Sequence, residues 1–388
     1  MVARVGILKA AIVVIALSAA LFGLSIIVRA ESGEGMPAED EYREMLDALP
    51  DGIAELLPEK LFSGDLKDIA TGAEELVDFW YIADLALHFL GLELRSALRL
   101  LAVLVGILLL AATLNTVKSS FSSSAVSDAF SVCSSCAVFL TVVVTQYNII
   151  SSVSDFFGRL SVLVNSMIPL MGALYAMGGN VTGAVVNHSS LVIFLTVMQN
   201  LCAGSAMPVA GICMAFSAVN VLSPNMGIGG IASFFKKMYT SALAMTMMVF
   251  TTVMAAQSLL ASKADNLAGR AAKFALGNMI PLVGSALAGT LGTVSTSVEY
   301  IRAVVGVIGV IVIVLILLPT LITLLVTKYV FSLASGAADI IGCSAEGRMI
   351  SELSGINSFL MASACICSVV LIFMLTIFAK CSAAGGGR

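Results

Sequence analysis

Charge is scarce in this chain. Only 11% of its 388 residues are Asp, Glu, Lys or Arg, while 59% are hydrophobic. A soluble domain carries about 25% charged and about 45–50% apolar residues. That deficit excludes an ordinary water-soluble globule and points to a bilayer, where a span needs about 20 apolar residues in a row. Histidine is almost missing: His88 and His188 are the only two, one on an acidic helical stretch and one in an uncharged segment. There is no phosphate-binding G-x-x-x-x-G-K-[ST], no G-x-S-x-G, no H-E-x-x-H and no G-x-G-x-x-G followed by an acid. The commonest routes to nucleotide, acyl-transfer, zinc and dinucleotide chemistry are thereby excluded. No catalytic, cofactor or metal residue is expected, and no nucleic-acid partner.

Eight cysteines are present, none of them between residues 31 and 95. That region therefore holds no disulfide. Cys133-Ser-Ser-Cys136 has the spacing of a redox or metal motif. It lies in an apolar run without a nearby histidine or acid, so it reads as small, soft packing residues.

The charge that exists is unevenly placed. Residues 31–95 hold 17 of the 24 acidic residues and 4 of the 20 basic ones. Such a stretch is a water-facing module, and the basic excess that follows belongs to loops and helix ends at a membrane. Residues 1–30 place Arg4 and Lys9 before an apolar run that ends in Val28-Arg29-Ala30. This pattern predicts a secretory signal or an uncleaved anchor, with residues 31–95 exported. Within the module, Pro50, Pro58 and Gly64 divide short amphipathic patterns. Asp65 precedes a longer one whose apolar set is Leu66, Ile69, Ala73, Leu76, Val77 and Trp80, at helical spacing. About 65 residues make a marginal unit that needs a partner. A transmembrane hairpin over 96–150 follows, with spans at Leu100–Val117 and near Ala129–Ile150.

The remainder repeats. "MIPLMG" at Met167–Gly172 returns as "MIPLVG" at Met279–Gly284. Pro208 and Pro319 follow 39 and 38 residues beyond Pro169 and Pro281. A basic turn comes next in each copy (Lys236-Lys237, then Arg348), and a last span near Tyr239–Ala261 or Asn357–Ala379 closes it. The expected organisation is all-α and polytopic: signal 1–30, module 31–95, hairpin 96–150, repeats 151–263 and 264–380, and a tail 381–388. Proline in a span removes one backbone hydrogen bond, and lipid offers no water to replace it. Pro169 with Gly172, Pro281 with Gly284, Pro208 and Pro319 are therefore expected to mark broken helices sheltered by protein or a wet cavity. Gly284, Ala288 and Gly292 recur every four residues, and Gly306 and Gly309 open the next span. Such small residues let helices approach closely, within the chain or between subunits. Residues 226–240, with Lys236 and Lys237 beside an apolar stripe, read as a helix lying in the interface. If the MIPL segments cross fully, the halves are inverted; if they re-enter, the halves are parallel. The seven acids after residue 95 fall in loops, at helix ends or on interfacial stretches, so no carboxylate relay marks a proton- or sodium-coupled pump.

Together with the signal and the acidic module, "LNTVKSSFSSS", "VNSMIPLMGALYAMGGNVTGAVV", "GNMIPLVGSALAGTLGTVSTSVEYIRAVVGVIGV" and "LPTLITLLVTKYVFSLASGAADIIG" resemble the stage III sporulation protein AE family of endospore-forming bacteria. The resemblance covers nearly the whole chain. It supplies no catalytic residue. It implies a multi-pass protein of the mother-cell membrane around the forespore, in a channel or secretion-like complex needed for late forespore development. Partners implied are an AA-type ATPase, small membrane subunits, the ring-forming AG and AH proteins, stage II sporulation protein Q and membrane lipid, in a homo- or hetero-oligomer. Two other readings remain open: an independent secondary transporter or passive pore for a small neutral solute, and a membrane scaffold without a conduit.

Overall fold

The computed structural model describes residues 39–50, 53, 57–63, 66–77, 79–118, 124–177, 181–222, 229–279 and 284–380. The expected signal 1–30, the tail 381–388 and Pro281 lie outside the described residues. Every regular element among the described residues is helical. Two short helices, α1 (Glu39–Asp47) and α2 (Leu66–Val77), flank a 3₁₀ turn at Glu59–Phe62. Long helices follow: α3 (Phe79–Lys118), α4 (Ser124–Met177), α5 (Val181–Val197), α6 (Gly204–Leu222), α7 (Gly229–Met279), α8 (Gly284–Ile341) and α9 (Ser344–Lys380). A π-helical stretch at Met198–Ala203 joins α5 to α6.

The short helices form by amphipathicity. On α1, Tyr42, Met45 and Leu46 are buried while Arg43, Glu44 and Asp47 are exposed. On α2, Ile69, Ala70, Ala73 and Leu76 face inward. α1 is tied to the 3₁₀ turn by the Tyr42 hydroxyl, which donates to the Leu61 carbonyl at 2.8 Å; burial pushes the phenol well above its ordinary range. Removing that hydroxyl in Tyr42→Phe leaves a buried carbonyl without its donor, a loss of about 1–3 kcal/mol. We expect faster proteolysis within residues 39–77 and an unchanged bundle. The partner that such a small unit needs is the bundle itself: Arg159 Nη1 on α4 donates to the Leu49 carbonyl at 2.7 Å. Leu76 of α2 shares a small apolar void with Ile311, Val314 and Leu315 of α8.

The long helices alternate in direction. Glu93 meets Thr323 and Leu108 meets Cys343, so α3 and α8 run parallel. Ser135 meets Glu346 and Gln146 meets Asn357, so α4 and α9 run parallel. Ser335 bonds Gly347 and Ser354 bonds Lys328 across an antiparallel α8–α9 hairpin. Lys236 reaches Glu352 and Tyr239 packs on Phe359, which sets α7 parallel to α9. Phe194 and Phe216 meet Phe250 and Phe235, so α5 and α6 run against α7. The hairpin turn is a Schellman cap. Gly342 stands at φ +91°, with Cys343 N–H donating to the Ala338 carbonyl and Gly342 N–H to that of Asp339. Glycine is needed there because a Cβ disfavours the left-handed conformation.

The core is the middle of α8. Every residue from Ile301 to Leu317 is buried, as befits a helix apolar on all sides. Gly309 lies where three helices meet: a Cβ there would sit 2.9 Å from Met167 Cε of α4 and 3.1 Å from Leu375 Cδ1 of α9.

Several expectations are revised. The boundaries at 95/96, 150/151 and 263/264 fall inside α3, α4 and α7. Around Ser151–Asp155 and Ser262–Asp265, where the two repeats are expected to begin, no proline or glycine interrupts the chain and the helix continues. The helix assignment also runs through Pro169, Pro208 and Pro319. Proline there costs one backbone bond without ending the helix. The local adjustment ahead of Pro208 is the π turn, the kind of widened turn that accompanies a lost or shared bond. Residues 229–240 are the opening turns of α7, not a separate helix. The first MIPL stretch lies inside α4, whereas the second begins at Met279, the last residue of α7, and its residues 280–283 lie outside the described residues; α4 and α7 point the same way.

Candidate functional site: a polar layer across the bundle

Among the described residues, six helical stretches are long and apolar enough to cross a membrane: Trp80–Leu114, Val132–Met177, Ala184–Val219, Gly230–Gln257, Tyr300–Ile341 and Ser344–Ile377. Large apolar side chains such as Leu98, Leu110, Leu140, Val144, Met248 and Leu333 point outward from them. On a soluble protein such a surface is a liability; in lipid it is the solvated face.

Polar groups gather at one level of this bundle, Gln146, Thr327, Ser354 and Asn357 buried and Ser96, Asn148 and Ser152 exposed. Glu93 and Ser96 come from α3. Thr145, Gln146, Asn148 and Ser152 come from α4, Lys236 from α7, Thr323 and Thr327 from α8, and Ser354 and Asn357 from α9. Direct contacts fix their common level. Thr323 Oγ1 donates to Glu93 Oε1 at 2.8 Å. Gln146 Nε2 donates to Asn357 Oδ1 at 2.7 Å, both side chains fully buried. Ser354 Oγ donates to the Lys328 carbonyl at 3.2 Å. Lys236 Nζ lies over Gly355, 2.9 Å from where a Cβ would stand, and 3.5 Å from the Glu352 carbonyl. Between α3, α4 and α8 the layer opens into a cavity of about 250 Å³ lined by Glu93, Ser96, Thr145, Asn148, Ser152, Thr323 and Thr327, among others.

Two further groups stand above this layer. Arg302 of α8 is 1% exposed, and its guanidinium carbon lies 4.3 Å from the centre of the Tyr175 ring, a cation–π contact that desolvation strengthens. At the π stretch the Leu201 carbonyl accepts from both Ser205 and Tyr239, while Cys202 and Cys367 bring their sulfurs within 2.7 Å.

The residues singled out from sequence are dispersed. Pro169 and Pro208 are exposed, Pro319 is half-buried, and a Cβ at Gly172 meets nothing within 4 Å. Gly306 is buried with Gly309 in the core helix. Gly284, Ala288 and Gly292 belong to the first turns of α8, whose side-chain surroundings lie outside the described residues. Lys236 joins the polar layer, whereas Lys237 is exposed. Glu93, assigned by composition to the water-facing module, instead lines the cavity, and Arg302 went unnoticed in an apolar run. Only helix direction and register bring the polar residues together. Among the described residues no group of three or more His, Cys, Asp or Glu is arranged to hold a metal ion.

Long apolar helices in alternating directions, joined by a polar layer, define a multi-pass α-helical membrane protein. Within that class, the family described as Stage III sporulation protein AE matches residues 62–384, and the chain belongs to it. A relative is the Stage III sporulation protein AE of Bacillus subtilis (strain 168), 24% identical over 234 residues. That match covers 59% of this chain and spans 57% of the relative's length. No solved structure matches.

Proposed function

We propose that the chain is the integral-membrane subunit of the complex that joins mother cell and forespore during sporulation, and that it is needed for late forespore development. The family match over residues 62–384 carries this reading. The long apolar helices support its membrane placement. Residues 31–95 would face the space between the two membranes, within reach of the ring-forming AG and AH proteins and of stage II sporulation protein Q. The opposite ends would face the AA-type ATPase, with small membrane subunits alongside. The two MIPL-containing halves are read as copies of one unit set side by side, since α4 and α7 share a direction. The role requires no catalysis by the chain itself.

The test is deletion and capture in the organism that carries the chain. Loss of the chain should arrest development after engulfment, and the tagged chain should retain other stage III proteins from solubilised sporulating membranes. Normal spore yield without it, together with solute uptake by the purified chain alone in liposomes, would instead establish an independent transporter.

A further inference from the structure

We propose that the cavity between α3, α4 and α8 binds one partly hydrated alkali cation, held by the Glu93 carboxylate. The inference stands apart from the sporulation reading, because it rests on lining chemistry alone.

The lining is rich in oxygen: a carboxylate, the hydroxyls of Ser96, Thr145, Ser152, Thr323 and Thr327 and the Asn148 amide. Thr323 gives its hydroxyl proton to Glu93 Oε1. Thr145 gives its proton to the Thr141 carbonyl and Ser152 gives its own to that of Asn148, both at 3.2 Å. A hydroxyl whose single proton is engaged turns its lone pairs to whatever lies beside it. The three hydroxyls thus present oxygen acceptors, Glu93 retains its second carboxylate oxygen, and Asn148 can add an amide oxygen. Among the described residues no Lys, Arg or His lines the space. An anion would meet the Glu93 carboxylate there and no cationic group, whereas a cation finds oxygen on several sides.

Charge and size narrow the class. Among the described residues Glu93 is the only formal charge in the lining, which balances one positive charge. A divalent ion is usually held by more than one carboxylate, or keeps most of its water. The all-oxygen donor set suits a hard ion and disfavours transition metals, which seek nitrogen or sulfur. A cavity of about 250 Å³ holds several waters, so the ion keeps part of its shell.

The experiment uses the full chain, purified in detergent, and follows thermal unfolding in NaCl, KCl or choline chloride at equal ionic strength. Sodium or potassium should raise Tm saturably by at least ~2 °C over choline. In Glu93→Gln the carboxamide oxygen still accepts from Thr323 while the charge is gone; the rise should vanish. Equal Tm in all three salts, or an undiminished rise in Glu93→Gln, would overturn the proposal. If Glu93→Gln fails to fold, Thr145→Val decides. Loss of that oxygen should raise the half-saturating concentration by at least ~3-fold, and an unchanged concentration would count as refutation.

Discussion

Gly309→Leu is expected to lower the stability of the purified protein by about 1–3 kcal/mol or more, the range for overpacking a well-filled core. The reason is local. Gly309 lies in the enclosed stretch of α8, and even a Cβ would come within 2.9 Å of Met167 and 3.1 Å of Leu375. Both near atoms are tips of flexible side chains. Gly309→Ala should therefore cost much less, because the methionine can swing aside. Leucine adds three further carbons and would force α4 or α9 to move. Thermal unfolding in detergent should rank wild type and Ala close together and Leu far below. A Leu variant as stable as wild type would show that the three helices do not meet there. Met167→Ala should partly rescue Gly309→Leu, since it opens space at the point of conflict.

The second large effect concerns the buried amide pair. Gln146→Leu or Asn357→Leu alone should destabilise by about 1–3 kcal/mol, because each leaves the other amide buried without its partner. The double variant should recover most of that loss, since two apolar groups of similar shape satisfy each other. Gln146 Oε1 and Asn357 Nδ2 have no partner in the protein, so the pair is an imperfect bond and its removal can even stabilise. A double-mutant cycle on Tm reads the coupling directly. Additive losses would place the two side chains apart. If the double variant is stable yet no longer supports spore formation, the polar layer serves function and not folding.

How much of this was visible beforehand varies with the length scale of the signal. Composition placed the chain in a membrane, because an 11% charged sequence has no other way to hide its surface. Gly309, singled out as a small residue, stands where α4, α8 and α9 meet, while the four-residue stripe of Gly284, Ala288 and Gly292 lies where side-chain surroundings are outside the described residues. The repeated MIPL stretch was legible as a pattern, but most of its second copy, with Pro281, lies outside the described residues. Pro169 was expected to break a helix, but α4 passes through it, since a single missing bond is tolerable in a helix supported by neighbours. Ser151–Asp155 stands at the expected start of the first repeat, yet α4 runs through it and Ser152 lines the cavity of the polar layer. That layer was illegible for a different reason. Each helix supplies only one to four polar residues, and Glu93 meets Thr323 only through the parallel register of α3 and α8. A sequence without coordinates has no way to express that register.

The alternation of helix directions is the claim on which the bundle, the layer and the cavity all depend, and loop sidedness tests it most directly. Single cysteines at Ser122, Gly179, Ser223 and Val283, in a chain whose eight native cysteines are replaced, can be challenged with a membrane-impermeant thiol reagent in intact cells. The structure predicts that Gly179→Cys and Val283→Cys respond alike, and that Ser122→Cys and Ser223→Cys share the opposite response. Labelling of Gly179→Cys and Val283→Cys from opposite sides of the membrane would contradict it.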